Sequence, residues 1–110
     1  MSIKRMACVF EQSAHKGAPY YTLLALANFA NDDGYCWPSM ATIAFHARVS
    51  RSTAFEAVDK LLASGELIKL TSGHTGKNNE YIVTVGLTEQ EVKQSVKHYT
   101  RPESGRVQYS

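Results

Sequence analysis

Two serines, Ser39 and Ser50, each stand directly before a run with helical periodicity, and together they constrain the fold more than any other feature. A serine in that place opens a helix, because its hydroxyl accepts from backbone N–H groups two or three residues on. After Ser39, Met40, Ile43, Ala44 and Ala47 recur at helical spacing. After Ser50, Ala54, Ala57, Val58, Leu61 and Leu62 do the same. Ala44, Ala47, Ala54 and Ala57 are small where two crossed helices must approach closely. The stretch from Trp37 to Gly65 therefore reads as two short helices joined by a tight turn, a helix-turn-helix.

The flanking sequence completes the pattern. Residues 3–12 carry Ile3, Met6, Val9 and Phe10 at helical spacing, a short amphipathic segment with a basic start. Ser13 to Gly17 break it. A helix then begins near Pro19, which suits a first turn, with its apolar stripe at Leu23, Leu24, Leu26, Ala27, Phe29 and Ala30. Asn31-Asp32-Asp33-Gly34 ends it with residues that tolerate left-handed backbone. Tyr35-Cys36-Trp37 is expected to be extended, since Pro38 disfavours helix in the residue before it. Trp37 is assigned to the core and Tyr20 and Tyr21 to partly exposed positions.

Beyond Ser64-Gly65, Leu67-Ile68-Lys69-Leu70 and Tyr81-Ile82-Val83-Thr84-Val85 read as strands around the polar, glycine-rich loop 71–79. Thr88 and Glu91 form a capping box, and Leu87 with Val92 a hydrophobic staple, at the start of a last helix. Along that helix only Val92, Val96 and Tyr99 are apolar. The predicted fold class is α+β, mainly helical: a winged helix-turn-helix with a β-hairpin wing and an extra C-terminal helix. The divisions are 1–17, an N-terminal arm or short helix; 18–86, the winged domain; 87–100, a helix offered as dimer contact; and 101–110, a flexible tail.

At 110 residues the chain supports one core. No apolar run approaches the roughly 18 residues of a membrane span, and no signal core follows the opening residues. Cys8 and Cys36 are isolated, which suits a reducing cytosol. A cytoplasmic protein is expected. The net charge of +2 permits nucleic-acid binding without requiring it.

Met1-Ser2-Ile3-Lys4, His15-Lys16-Gly17, Leu24 to Gly34, Trp37-Pro38-Ser39 and Val49 to Thr53 resemble one group of winged-helix proteins. These are the helix-turn-helix domains of phage and plasmid replication proteins and related small regulators of mobile elements. The resemblance covers roughly residues 1–70 and rests most on Asn-Asp-Asp-Gly followed by Trp-Pro-Ser. It implies a bacterial or phage origin and double-stranded DNA as ligand, and leaves open whether the role is replication or transcriptional control. The end of the chain, one short helix and a tail, favours a stand-alone regulator or a separated DNA-binding domain. Relatives often have glycine where Arg48 stands. A left-handed backbone would strain an arginine, so a longer or differently shaped turn is expected. Relatives are often basic where Glu56 stands; an acid repels phosphate but can accept from a cytosine amino group.

With Ala54, Ala57, Val58 and Leu61 inward, the second helix presents Arg51, Ser52, Phe55, Glu56 and Asp59, with Thr53 and Lys60 at its edges. The first turn of such a helix enters the major groove. Arg51 and Ser52 are therefore the base-reading candidates, and Ser50 and Thr53 the phosphate contacts. Arg48 flanks the same turn. Phe55 can touch thymine methyls or a second subunit. His74, Lys77 and Asn78 in the loop, and Lys4 and Arg5 near the start, are further DNA candidates. The plain alternatives are a cap at Ser50, a solvated charge at Arg51, and ordinary polar surface for the rest.

Leu87, Val92, Val96 and Tyr99 are the dimerisation candidates, the alternative being packing on their own domain. Gly73 to Lys77 is two residues short of a phosphate-binding loop. His15, His46, His74 and His98 lack metal-ligand spacing. No catalytic, metal or cofactor site is expected. The leading expectation is a homodimeric DNA-binding protein, with a replication or transcription protein as a further partner. The alternative is a winged-helix protein-interaction module, which Phe55, Glu56 and Asp59 would suit. A replication initiator domain of a longer chain is a third reading.

Overall fold

The computed structural model describes residues 3–70 and 79–99. Its elements, in order, are α1 (Ile3–Gln12), α2 (Ala18–Phe29), β1 (Tyr35–Cys36), α3 (Met40–Ala47), α4 (Arg51–Ser64), β2 (Leu67–Leu70), β3 (Glu80–Val83) and α5 (Glu89–Tyr99). This is the mainly helical α+β winged helix-turn-helix that the sequence predicts.

The local start and stop signals act where they stand. Ser39 Oγ accepts from Thr42 N at 3.1 Å, and Ser50 Oγ from Thr53 N at 3.1 Å. Each hydroxyl in turn donates to the threonine hydroxyl three residues on. Gly65 closes α4 in the left-handed region, with φ 85°. Thr88 and Glu91 exchange the two hydrogen bonds of a capping box at the start of α5.

The core forms where α2, α3 and α4 cross. Leu23, Leu26, Ile43, Ala54 and Leu61 are wholly buried there, and Ala44, Ala47 and Ala57 nearly so. Small side chains let the helices approach and the larger ones fill the layer. A three-stranded antiparallel sheet of order β1-β3-β2 closes one side. Tyr35 stands opposite Ile82, and Leu67 opposite Val83. The central position of β3 explains why all four of its residues are buried.

Asn31 makes the turn from α2 into β1. Its Oδ1 accepts from Asp33 N at 2.9 Å and Tyr35 N at 3.1 Å. Gly34 follows with φ 87°, and a Cβ there would collide with the Val83 carbonyl oxygen. The glycine is needed both for its backbone angle and for the close approach of β3, whose Val83 N donates to Gly34 O at 2.8 Å.

Four expectations are corrected. The last strand runs Glu80–Val83 rather than Tyr81–Val85, because Thr84 turns the chain: its carbonyl accepts from Leu87 N, and Gly86 is left-handed. Trp37 is not core. It is 56% exposed, its ring 5.0 Å from that of Tyr35, because Cys36 takes the inward position of the short strand. Arg5 is not part of a DNA-binding arm: it is 2% exposed, and its Nη1 donates to Val85 O at 3.1 Å. The turn at Arg48 is neither lengthened nor reshaped, since Arg48 itself takes the left-handed conformation, φ 62° and ψ 43°. The proposed tail 101–110 and most of the wing loop lie outside the described residues.

Candidate nucleic-acid interface

The candidate interface is built on α4, and its presentation follows from how the helix is held. Ala54, Ala57, Val58 and Leu61 bury one face. Arg51, Ser52, Phe55, Glu56, Asp59 and Lys60 are exposed on the other, with Thr53 half-buried at the edge. That distribution is the one the helical spacing predicts. Ser50 occupies the Thr53 amide, while the first amides of any helix lack intrahelical partners and favour an anion. The opening turn therefore combines a helix N-terminus with the side chains of Arg51 and Ser52.

Arg48 joins this turn from the end of α3. Its N–H donates to Phe45 O at 3.2 Å, and Val49 N donates to Ala44 O at 3.0 Å, closing the helix. A left-handed arginine costs about 1–2 kcal/mol against an ordinary conformation. The guanidinium lies 5.1 Å from the centre of the Phe45 ring, a cation–π contact of about 0.5–1 kcal/mol at an exposed site. Arg48 remains exposed beside Arg51. The charge balance changes sign along α4: arginines at the opening, then Glu56 and Asp59, then Lys60.

Phe45 is a candidate site residue that sequence reasoning missed. It is 64% exposed and carries Arg48 on its ring. The signal was available, since with Ile43, Ala44 and Ala47 inward, helical geometry turns residue 45 outward. Lys69, exposed on β2, was also passed over. His74, Lys77 and Asn78 lie outside the described residues. Lys4 is exposed on α1, which packs on α2.

The far end of α4 is tied down. Glu66 accepts from Ser13 Oγ at 2.6 Å and from Ala14 N at 2.9 Å. His15 Nε2 and Ser64 Oγ lie 2.8 Å apart, and Thr84 Oγ1 donates to Gly65 O at 2.6 Å. Because α4 has 14 residues, this network stands about 20 Å from the opening turn.

The dimerisation candidates on α5 need one correction. Tyr99 stacks on Tyr35 of its own domain, ring centroids 3.9 Å apart and planes at 6°. Its hydroxyl donates to Asp33 Oδ2 at 2.9 Å and accepts from Asn31 Nδ2 at 3.0 Å. Ser95 is buried on the same side and donates to Asp33 O. Leu87, Val92 and Val96 are half-buried. These contacts turn the Tyr99 end of the seam toward the α2–β1 turn.

Neither thiol has a disulfide partner. Burial pushes the Cys36 thiol up to about 12, leaving it uncharged and unreactive at neutral pH. Among the described residues no group of three His, Cys, Asp or Glu side chains converges as a metal site. No helix among them is long and apolar enough to cross a membrane.

The geometry defines a winged helix-turn-helix, and comparison with known proteins agrees. Residues 22–65 match a family model described as a helix-turn-helix domain. These residues take in most of α2 and all of β1, α3 and α4, the part that carries the opening turn. Protein YmfN of Escherichia coli (strain K12) is 36% identical over 72 residues, 63% of this chain. The aligned part is 16% of YmfN, so the chain spans about a sixth of that relative. No solved structure matches the chain significantly.

Proposed function

We propose that this protein binds double-stranded DNA by placing the opening turn of α4 in the major groove. The observation that carries the reading is the exposed, Ser50-capped start of α4, flanked by Arg48 and Arg51, on a helix whose opposite face is wholly engaged in the core. Arg51 and Ser52 read base edges, Arg51 best suited to guanine. Ser50, Thr53 and Arg48 hold phosphate, and Lys60 and the wing residues His74, Lys77 and Asn78 extend the contact. Phe55 shares Arg51's flank one turn on and offers an apolar surface to thymine methyls. The match to a helix-turn-helix domain supports this assignment.

The resemblance in residues 1–70 supports a narrower role, in a bacterial mobile element such as a phage or plasmid. There the protein acts as a transcriptional regulator or replication-associated factor in the bacterial cytoplasm, alongside other replication or transcription proteins. Few cations line the site, and non-specific binding by such surfaces is weak, about 10⁻⁴–10⁻⁶ M. Two half-sites read by a homodimer give the specificity that one copy lacks.

A salt titration of duplex binding tests the reading. Affinity falls steeply with salt, and Arg51→Ala weakens it by about 1–3 kcal/mol at its preferred site. The exposure of Phe55, Glu56 and Asp59 on the same face favours one other reading, a protein-interaction module. That module has no salt-dependent duplex affinity and no response to Arg51→Ala. Selection of bound duplexes from a random pool gives the site, and a palindromic consensus accompanies a symmetric dimer.

A further inference from the structure

Helix α1 has an outer face that its own domain leaves open. Arg5 and Val9 point inward and are buried. The opposite side carries Ile3, 79% exposed, and Phe10, 61% exposed, with Ala7 exposed between them. Ile3, Ala7 and Phe10 follow the i, i+4, i+7 spacing of one helix stripe, and the alanine at its middle leaves room for a second backbone.

The charges beside this stripe are placed against the helix's own field. Lys4 stands in the first turn and Glu11 in the last, and α1 has no acid in its first turn and no base in its last. A helix macrodipole favours the reverse. An isolated α1 is weakened by this arrangement, but an antiparallel pair of α1 helices is strengthened by it. A two-fold axis passing at Ala7 brings Lys4 beside the partner's Glu11, and Ile3 beside the partner's Phe10, each twice. Each cation then also lies near the negative end of the facing helix.

We infer that α1 is a self-association surface, through which two copies of this chain pair antiparallel about Ala7. The two-fold makes the patch self-complementary, as a closed dimer requires. The edge-on contact of Phe10 with Tyr20, centroids 6.5 Å apart, continues the surface onto α2. So short a helix pair buries less than a stable interface of about 1,200 Å², so the free dimer is weak and its two DNA-reading turns reinforce it on a duplex. The inference deepens the homodimer within the proposed function and moves its contact from α5 to α1.

Sedimentation of the full chain without DNA, over a concentration series, tests it. Lys4→Glu alone and Glu11→Lys alone each set like charges opposite one another and weaken the dimer about tenfold. The double variant restores it to within about threefold, because each pair is opposite again. Both single changes improve the match to the helix dipole, so circular dichroism retains the helix signal and loss of the dimer is not loss of α1. Phe10→Ser removes the dimer altogether. A dimer indifferent to both charge changes overturns α1 as the surface while leaving a homodimer standing. A monomer at every concentration, with and without duplex, overturns both, and duplex binding by that monomer leaves the DNA reading intact.

Discussion

The two ends of α4 are treated differently. At its C-terminus Glu66, Ser64 and Gly65 are tied to the α1–α2 connection and to Thr84 by four polar contacts between 2.6 and 2.9 Å. At its N-terminus the side chains of Ser50 and Thr53 hydrogen-bond within the opening turn itself, to each other and to the Thr53 amide. One end fixes the axis of the helix and the other is presented. The contrast teaches that a helix presented at one end is best anchored at the other, because groups that hold the helix cannot also meet a ligand.

Three measurements break or sharpen this contrast. The largest effect removes the scaffold that both ends share. The Cys36 thiol has its folded pKa raised from 9.0 to about 12, so the unfolded chain ionises first as pH rises. Its contribution is fully present below pH 9 and is lost as pH climbs toward 12, about 4 kcal/mol over that window. Calorimetric Tm across this range falls steeply in the wild type, and Cys36→Ala flattens that fall.

Glu66→Ala acts on the anchored end alone. Losing the carboxylate that holds Ser13 and Ala14 costs about 1–3 kcal/mol of stability, read by urea denaturation, with duplex affinity of the folded protein unchanged. A parallel loss of duplex affinity would mean that the two ends are not separable. Arg48→Gly has the smallest effect and splits the two readouts. It relieves about 1–2 kcal/mol of left-handed strain but gives up the Phe45 contact and adds glycine's unfolded-state entropy. Stability therefore moves by less than about 1 kcal/mol, while duplex affinity drops because one cation leaves the opening turn.

Much of the site was legible because its signals are local. A serine cap, a left-handed glycine and a capping box act over three or four residues, so Ser39, Ser50, Gly65 and the Thr88–Glu91 pair could be placed without the fold. The outward set Arg51, Ser52, Phe55, Glu56 and Asp59 followed from helical spacing alone. Phe45 obeyed the same rule and was overlooked.

Where contacts span the chain, sequence could not decide. Arg5 looks like a surface cation, yet it bonds a carbonyl 80 residues away. Tyr99 looks like a dimer contact, yet it stacks on Tyr35 and bonds Asp33, 66 residues away. Trp37 looks like core, yet the inward place in β1 belongs to Cys36. Residue type and periodicity thus determined by themselves where the helices begin and end and which face of α4 is free, since those depend on near neighbours. Tertiary structure alone decided which apolar and charged side chains are covered, because covering depends on elements brought together only when the chain closes.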